Sequence, residues 1–490
     1  MRLPSPEVLL VAKKDIRTLL RENAVTVMFV VLCTLCMIFS GQSVSYVIYE
    51  LFGRLSRNSF IVLALIIPIV AGMGINFAIT IGAMAAQIAA LWVTEWGVGG
   101  FEGFLLAMAM TLPIAALFGF LIGKLLNKMK GQEMIGGLIL GYFANGLYQL
   151  LFLFIFGNLI PLKTPGLVIK GSTGVANTID LTSGAGGGIK YALDNIWKVD
   201  FGTALYVVCA ALVVILLVAL LFKLLSKKGV RIVSFCAVGA VALALIVTLL
   251  GRFGVIPAVP ALVIGIVLFA AGLVMEMAIL AKGVAVKKAI AMMIAAALMV
   301  LLYQVPFVKE LFSMVKVPMI TFVVVGLLCL FNIGIMKTRI GQQFRAVGQN
   351  RTVANASGIN VDRVRLIAIM ISTVLAGWGQ LIFVQNMGSF QTYGAHEQVG
   401  LYAGAAILVG GASIRKATNG QAILGCILFH LLFIVAPPAA KNLFGDAAIG
   451  EYFRVFISYG VIALALVMHA WSGIQKKKPE NALREAAAKN

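Results

Sequence analysis

Apolar runs of about 20 residues recur along the chain, separated by short polar or glycine-containing stretches. A helix needs about 20 apolar residues to cross the roughly 30 Å hydrocarbon core of a bilayer. We therefore predict an all-α fold, a polytopic integral membrane helical bundle with about 12–14 transmembrane segments. The candidate crossings are residues 24–47, 59–75, 77–93, 102–123, 132–157, 203–225, 230–251, 256–281, 284–303, 317–336, 365–385, 399–412, 420–436 and 453–472.

Two of these segments deviate from a plain crossing. The run from 59 to 93 is too long for one helix, and Gly72, Gly74 and Asn76 stand at its middle. We expect a tight reversal or a broken helix there, since backbone groups freed at membrane depth need protein or a water-filled cavity around them. This stretch is therefore expected to border a solute pathway. The glycine-rich segment 399–412 is short enough to be re-entrant.

The distribution of positive charge predicts the orientation. If each segment crosses once and the N-terminus is cytoplasmic, most of the 39 Lys and Arg residues fall in cytoplasmic loops. Both termini are then cytoplasmic, and Arg54 and Arg57 are expected at an outer headgroup layer. The predicted regions are a cytoplasmic N-terminal segment 1–23, the first half of the core 24–157, an extracytoplasmic loop 158–202, extra helices 203–303 as a peripheral insertion, the second half of the core 317–472 with a cytoplasmic loop 337–365, and a cytoplasmic tail 473–490.

Composition agrees with a membrane protein and excludes several other classes. Hydrophobic residues make up 61% of the chain, charged residues 12%, and the mean hydropathy is +1.03. Such a chain cannot cover itself with polar surface, so a soluble enzyme and a disordered regulator are excluded. The net charge of +21 follows from Lys and Arg in cytoplasmic loops, so we expect the lipid bilayer and no nucleic acid as a partner.

Signatures of catalysis are missing from the sequence. It contains no G-x-x-x-x-G-K-[ST] loop, no G-x-S-x-G and no H-E-x-x-H, so we predict no catalytic residue and no nucleotide hydrolysis by this chain. The six cysteines lie in apolar runs, and His396, His430 and His469 are scattered. We therefore predict no disulfide, no metal site and no cofactor bound by this chain.

Polar residues within apolar segments indicate where a solute could pass. Amides in lipid cost free energy unless they are paired, so they should face the protein interior. One interpretation is an uncharged hydrogen-bonding passage for a neutral polar solute, and the other is a set of interhelical hydrogen bonds that hold the bundle together. Gln87, Gln385 and Asn386 belong to this polar group. The predicted pathway residues are Asn76, Phe77, Tyr142, Asn145, Gln149, Trp378 and Gln380.

One carboxylate lies deep in an apolar run. Glu276 is flanked by Val274-Met275 and Met277-Ala278. Ionisable residues inside a membrane are expected to be functional or paired. Glu276 therefore supports an alternative function, an autonomous ion-coupled secondary transporter.

The loop 337–365 is unusual for a solvated linker. Val353, Ala356 and Ile359–Asn360 follow helical spacing, and Gly358 suits a helix C-terminal cap. A short amphipathic helix with small residues is expected to dock into another protein. The alternative is an interfacial helix that lies on anionic lipid.

The same loop carries a family resemblance. The stretch from Gly341 to Arg365, followed by Ala376-Gly377, resembles the pattern G-x-x-x-R-A-V-G-x-N … A-x-x-x-G-I-x-V-x-R of a permease family. These permeases are the membrane subunits of ATP-binding-cassette importers for branched-chain amino acids, ribose-type sugars and nucleosides. Residues 133–144 resemble the family's E-V-I-x-T-L-M-L-N-Y-I-A segment, and residues 74–78 its G-I-D-L-S segment. Residues 405–411 and 420–425 resemble its glycine-rich stretch near the C-terminus.

The resemblance implies a permease subunit of an ATP-driven, binding-protein-dependent importer in the bacterial cytoplasmic membrane. Its partners would be a cytoplasmic ATP-binding-cassette ATPase, which binds ATP and Mg, a second homologous permease that forms a heterodimer with it, and an extracytoplasmic solute-binding protein. The loop 341–360 would seat in the ATPase. The residues implied in this coupling are Gly341, Arg345, Gly348, Asn350, Ala354 and Gly358.

The chain also departs from the family pattern. Asn76 stands where the sugar branch often has Asp, and Gly141 stands where the nucleoside branch often has Asn. The four crossings between 203 and 303 exceed the usual core of the family. Amides and aromatic rings at the expected pathway favour a nucleoside or related heterocycle, then a simple sugar, then a branched-chain amino acid.

Overall fold

The chain divides into two compact units. A computed structural model describes residues 23–129, 131–164, 166–169, 174–182, 188–224, 236–240, 242–244, 246–247, 250–251, 258–446, 448–453, 455–456, 459–460, 463 and 467. One unit comprises Met1–Lys198 with Pro318–Asn490, and the other comprises Val199–Val317. The tail 473–490, nearly all of the N-terminal segment 1–23 and much of the predicted crossings 230–251 and 453–472 lie outside the described residues.

The first part of the chain is mainly helical up to residue 155. Its helices bury an apolar core between them, and α6 continues into a π-helical turn at Leu151–Ile155. The elements are α1 (Ala24–Ser40), α2 (Val44–Ala64), α3 (Ile66–Val70), α4 (Ile79–Glu95), α5 (Gly100–Lys128), α6 (Glu133–Leu150), β1 (Thr178–Asp180) and β2 (Lys198–Asp200).

The later part of the chain is also built from helices. The second unit contains α7 (Phe201–Leu224), α8 (Ala258–Ala281), α9 (Val286–Tyr303) and α10 (Pro306–Leu311). The remaining elements are β3 (Lys316–Pro318), α11 (Met319–Ile335), α12 (Arg339–Gln349), α13 (Arg351–Ala356), α14 (Val361–Met387), β4 (Ser389–Gln391), α15 (Val399–Val409) and α16 (Asn419–Phe444).

The predicted polytopic helical membrane fold is confirmed. Seven helices among the described residues are long and apolar enough to cross a membrane, or eight if the bent pair α11 and α12 counts as one span. Shorter apolar stretches account for part of the difference from the 12–14 predicted segments: the helices Ala24–Ser40, Ile79–Glu95 and Val399–Val409, and Val267–Ile279 within α8. A helix of 11 residues, such as α15, rises only about 16 Å.

The first predicted crossing, 24–47, ends earlier than expected. Gly41 has a φ of +63° and terminates α1, and the Ser43 hydroxyl then accepts a hydrogen bond from the Tyr46 N–H at the start of α2. As a result Arg54 and Arg57 lie within α2. Both guanidinium groups contact the Glu50 carboxylate, at 3.1 and 3.5 Å.

The predicted break between 59 and 93 is confirmed. The helix ends at Val70, and Gly72 and Gly74 adopt φ values of +75° and +72°, which favour glycine. The turn closes on itself, since the Met73 N–H donates to the Pro68 carbonyl at 3.0 Å. The Asn76 side-chain oxygen accepts from the Ala78 N–H at 3.1 Å. The next helix, α4, begins at Ile79.

Residues of the 158–202 loop are attached to the helices by polar contacts. Strand β1 pairs antiparallel with β4, with Ile179 opposite Phe390. The buried carboxylate of Asp194 accepts hydrogen bonds from Thr321 at 2.5 Å and from Asn386 at 2.6 Å. A buried carboxylate with two donors is compensated for lost hydration, so these contacts hold the loop in place.

Helices α15 and α16 approach each other at their glycines. A Cβ atom at Gly425 would lie 1.9 Å from the Ala406 carbonyl oxygen, and one at Gly410 would lie 1.8 Å from the Gln421 carbonyl oxygen. Both obstacles are backbone atoms, so neither can rotate away. Because glycine has no side chain, α15, the helix that follows His396, can pack this closely on α16.

We expect Gly425→Ala to destabilise the purified protein, because overpacking a tight contact costs about 1–3 kcal/mol. Thermal unfolding in detergent measures this as a lower Tm. Gly420→Ala on the same helix is the matched control, since a Cβ there meets open space. Equal Tm values for the two variants would contradict the close contact.

Candidate translocation site

A cavity of about 150 Å³ lies beside the broken helix. The turn and the start of α4 supply one wall, α6 supplies another, and the segment between β4 and α15 supplies a third. The lining is mixed, with aromatic rings, hydroxyls, amides and one carboxylate. The lining residues are Phe77, Thr80, Leu138, Gly141, Tyr142, Asn145, Glu397, Gln398, Gly400, Leu401 and Tyr459.

Three of the seven predicted pathway residues line this cavity. Phe77 follows the break, and Tyr142 and Asn145 lie on one face of α6, three residues apart. Asn76 is buried next to Phe77, and its Nδ2 has no hydrogen-bond partner among the described residues. The break and α6 therefore meet at the cavity.

The other predicted pathway residues lie elsewhere in the bundle. The Trp378 indole donates to the Met108 carbonyl at 3.1 Å, and the Gln380 amide donates to the Ala395 carbonyl at 3.3 Å. Gln149 is half-buried and does not line the cavity. For Trp378 and Gln380 the structure shows interhelical or loop hydrogen bonds, which was the alternative interpretation of the polar set.

A chain of polar side chains extends from the cavity into the bundle. The Glu397 carboxylate accepts from the Asn145 amide at 3.0 Å, and the Asn145 oxygen lies 2.8 Å from His396 Nε2. His396 Nδ1 lies 2.8 Å from the Gln87 amide oxygen, which also accepts from the Tyr148 hydroxyl at 2.8 Å. We call Tyr148, Gln87, His396, Asn145 and Glu397 the cavity network. It joins three separate parts of the chain.

The imidazole of His396 is fully buried within this network and stacks edge-on against the Tyr148 ring at 4.5 Å. It lies between α14 and α15, outside the helices long enough to span a membrane. Burial lowers the pKa of His396 to about 4, so the ring is neutral at neutral pH. A neutral ring has one N–H, so it donates a hydrogen bond to one of the two amide oxygens that face it.

The sequence interpretation missed His396, Glu397, Gln398 and Thr80 as members of this site. His396 was set aside because the histidines are scattered along the chain. The available signal was the polar run 396–398, which stands directly before the glycine-rich segment 399–412. Gln87 belongs to the polar group interpreted as a passage, although it is not among the seven predicted pathway residues.

The segment 337–365 folds as two short helices rather than one. Thr338 caps α12, and its hydroxyl accepts from the Gly341 N–H at 3.3 Å. Asn350 caps α13, and its side chain accepts from the Thr352 and Val353 N–H groups at 3.0 and 3.1 Å. The helix expected around 353–359 is α13, which ends at Ala356, and Gly358 follows with a φ of +79°. The additional helix α12 precedes it.

The six predicted coupling residues differ in how exposed they are. Gly341 and Ala354 are buried, and Gly348 approaches the break closely, since a Cβ there would lie 2.1 Å from the Val70 carbonyl oxygen. Arg345, Asn350 and Gly358 are exposed. Val353, which is 59% exposed, adds a large apolar side chain to the outer face of α13. One side of the segment thus packs on the break, and the other is free for a partner.

Comparison with known proteins identifies the family. A family profile described as branched-chain amino acid transport system / permease component matches residues 196–468, more than half of the chain. The chain belongs to this family. It is thus a multi-pass protein of the bacterial inner membrane and a member of a family of transport subunits. The matched range runs through the helices between 203 and 303.

Individual permeases match over shorter stretches. The chain is 29% identical to the probable ABC transporter permease protein YphD of Escherichia coli over 31% of the chain and 43% of that protein. It is 30% identical to the nucleoside ABC transporter permease protein NupC of Lactococcus lactis over 28% of the chain and 41% of that protein. It is 28% identical to the ribose import permease protein RbsC of Escherichia coli over 27% and 39%. The chain therefore spans less than half the length of these permeases. No solved structure matches it.

Glu276, the carboxylate of the alternative interpretation, lies in α8 of the second unit and is half-buried. Within the described residues, no group of three or more His, Cys, Asp or Glu side chains is arranged to hold a metal ion.

The buried His396 predicts a pH-dependent stability of this permease. Its pKa is lowered from an ordinary value near 6.5 to about 4, so below pH 6.5 the unfolded chain binds a proton that the folded chain does not. Stability therefore falls as pH falls from about 6.5 toward 4, by about 2 kcal/mol between pH 7 and pH 5 from this residue. Thermal unfolding of wild type and His396→Gln at both pH values measures it. We expect a larger loss of Tm in wild type, and parallel losses would contradict a neutral buried ring.

Proposed function

We propose that this chain is the permease subunit of an ATP-driven, binding-protein-dependent importer, and that the cavity lies on the route of a small neutral polar solute. The observation that carries the proposal is the position of the break at residues 71–78. One side of it borders the cavity through Phe77, and the other side contacts α12 through Gly348. A partner that moves the segment 337–365 would act on the cavity wall through this turn.

The cavity lining supports a nucleoside or related heterocycle as the solute. Phe77, Tyr142 and Tyr459 supply aromatic rings to the lining, and aromatic rings stack with a planar base. The Glu397 carboxylate is an acceptor for the hydroxyls of a ribose, and Thr80 adds a hydroxyl. A simple sugar ranks second, since it uses the polar groups without the rings. A branched-chain amino acid ranks third. The names of related permeases include both nucleoside and ribose.

The proposed partners follow from exposed faces and from the family. A cytoplasmic ATP-binding-cassette ATPase would bind α13 and supply the ATP and Mg²⁺ sites, while this chain binds no cofactor. A second, homologous permease would cover the apolar face of α6 beside the cavity and form a heterodimer with the chain. On that face Ile135, Ile139 and Phe143 are 64%, 56% and 65% exposed. An extracytoplasmic solute-binding protein would deliver the solute.

Val353→Asp is expected to abolish ATPase binding, because it places a charge on the apolar contact that α13 offers. The tagged chain is purified from its native membrane in mild detergent, and the bound ATPase is identified by its Walker A motif and its ATP hydrolysis. Deletion of residues 345–358 should give the same loss.

Val44→Asp is the matched control, since Val44 is 47% exposed at the start of α2 and receives the same charge. It should retain the ATPase. Full ATPase recovery with Val353→Asp would refute α13 as the docking element, and wild type without any ATPase would refute the importer.

Glu397→Gln is expected to raise the concentration of adenosine or uridine that half-saturates uptake by about tenfold or more. A hydrogen bond to a charged acceptor is worth about 1.5–3 kcal/mol, and about 1.4 kcal/mol corresponds to tenfold. Uptake of labelled nucleoside and labelled ribose is measured in cells that express the complete transporter. Glu310→Gln, an exposed carboxylate of α10, should leave uptake unchanged.

Transport by the chain alone would favour the ion-coupled alternative. In liposomes that contain only this chain, we expect no uptake under a proton or sodium gradient. Flux that disappears on Glu276→Gln would overturn the importer proposal in favour of a secondary transporter.

A further inference from the structure

Three charged side chains from distant parts of the sequence meet at the start of α6. The Oε1 atom of Glu133 lies 2.7 Å from Arg351 Nη1 and 2.6 Å from Arg365 Nη2. Arg351 comes from α13, and Arg365 from the first turns of α14. We call this arrangement the Glu133 bridge. A single carboxylate oxygen thus holds two guanidinium groups.

The two arginines differ in their exposure to solvent. Arg365 is fully buried, and its Nε and Nη1 have no hydrogen-bond partner among the described residues. The Arg351 side chain is 33% exposed. Removal of Arg351 would leave the Glu133 carboxylate held by Arg365, so the burial of this charge stays compensated. Arg351 is therefore the member of the bridge whose removal leaves no buried charge uncompensated.

Arg351 also contacts the break. Its Nη2 donates to the Gly72 carbonyl at 2.7 Å while its Nη1 contacts Glu133. The planar fork of a guanidinium suits two acceptors at once, which a lysine ammonium would not match. One side chain of α13 thus contacts both elements that lead to the cavity, the turn before Phe77 and the helix that carries Tyr142.

The turn and the start of α6 also pack directly on each other. A Cβ at Gly74 would lie 2.8 Å from the Met134 sulfur, next to Glu133. Tyr142 lies nine residues beyond Glu133, about 13 Å along a continuous helix. Glu133 and the cavity-lining Tyr142 thus lie on one continuous helix.

We propose that the contacts of Arg351 with Glu133 and with the Gly72 carbonyl carry movement of α13 to the cavity, so that Arg351 and Glu133 are positioning residues for alternating access. This rests on the proposed function, in which an ATPase moves α13. Allosteric coupling needs an element with two discrete arrangements that both sites bias. We propose that these are Arg351 engaged, as the structure shows it, and Arg351 withdrawn from Glu133 and Gly72.

The test measures the accessibility of the cavity in the complete complex with its ATPase, in nanodiscs. Tyr142→Cys places a thiol on the cavity wall, and its labelling rate by a polar maleimide is measured with and without ATP and vanadate. Protein without this substitution supplies the background of the six native cysteines. We expect a change of about fivefold or more on nucleotide trapping, the lower end of typical allosteric couplings.

In this background, Arg351→Gln and Glu133→Gln should reduce the nucleotide-dependent change to below about twofold. The ATPase should remain bound and hydrolytically active, a result that loss of folding would not give. Arg351→Lys should give an intermediate change, because an ammonium reaches one of the two acceptors. The double variant should be no worse than Arg351→Gln alone if the pair acts as a unit.

Arg363→Gln is the matched control, since it removes an exposed arginine from the same end of α14. It should keep the full response. Should Glu133→Gln fail to assemble, Arg351→Gln decides the question, because its side chain is partly exposed. A full nucleotide-dependent change in the labelling rate of Arg351→Gln overturns the proposal. Loss of the ATPase from this variant also overturns it, because Arg351 would then be a docking residue.

If the otherwise wild-type complex keeps its ATPase but its labelling rate does not change with ATP and vanadate, the proposed transmission is wrong. The importer assignment then still stands. Wild type that binds no ATPase refutes the proposed function, and the transmission with it.

Discussion

The interrupted backbone between Val70 and Ile79 is the constraint on which the site depends. A helix that breaks in apolar surroundings must find partners for its freed N–H and C=O groups. Here the turn satisfies part of that requirement itself, and the Gly72 carbonyl is satisfied by the guanidinium of Arg351. Because that partner comes from α13, the segment 337–365 and the cavity wall form one connected arrangement, although about 280 residues separate the two in sequence.

Charge burial supports the same arrangement. Only 12% of the chain is charged, yet a carboxylate and two guanidinium groups meet at the start of α6. A buried charge is costly unless an opposite charge and hydrogen bonds compensate it. Glu133 therefore holds the first turn of α6 against α13 and α14, and the rigid helix then positions Tyr142 and Asn145. The ion pairs at the start of α6 and the hydrogen bonds in its middle therefore hold the same helix in place.

Within the cavity, neutral groups predominate. Burial keeps His396 uncharged, and the amides of Gln87 and Asn145 connect it to Tyr148 and to the Glu397 carboxylate. A lining of rings, amides and one acceptor carboxylate suits a neutral solute that carries hydroxyls and a planar ring. This chemical match is the basis of the proposed nucleoside class. Membership in the permease family leaves the solute open, since the names of related permeases include both nucleosides and ribose.

The sequence by itself determined the helical membrane fold, the break at Gly72 and Gly74, and the family, because segment hydrophobicity and glycine conformation are local properties. It also predicted Phe77, Tyr142 and Asn145, which lie close to recognisable breaks and motifs. Only the tertiary structure decided that Trp378 and Gln380 hydrogen-bond to neighbouring backbone, that Glu397 lines the cavity with His396 buried beside it, and that Arg351 meets Glu133. Hydrophobic periodicity shows which residues avoid lipid but not which partner they face. That choice depends on how helices distant in sequence pack together.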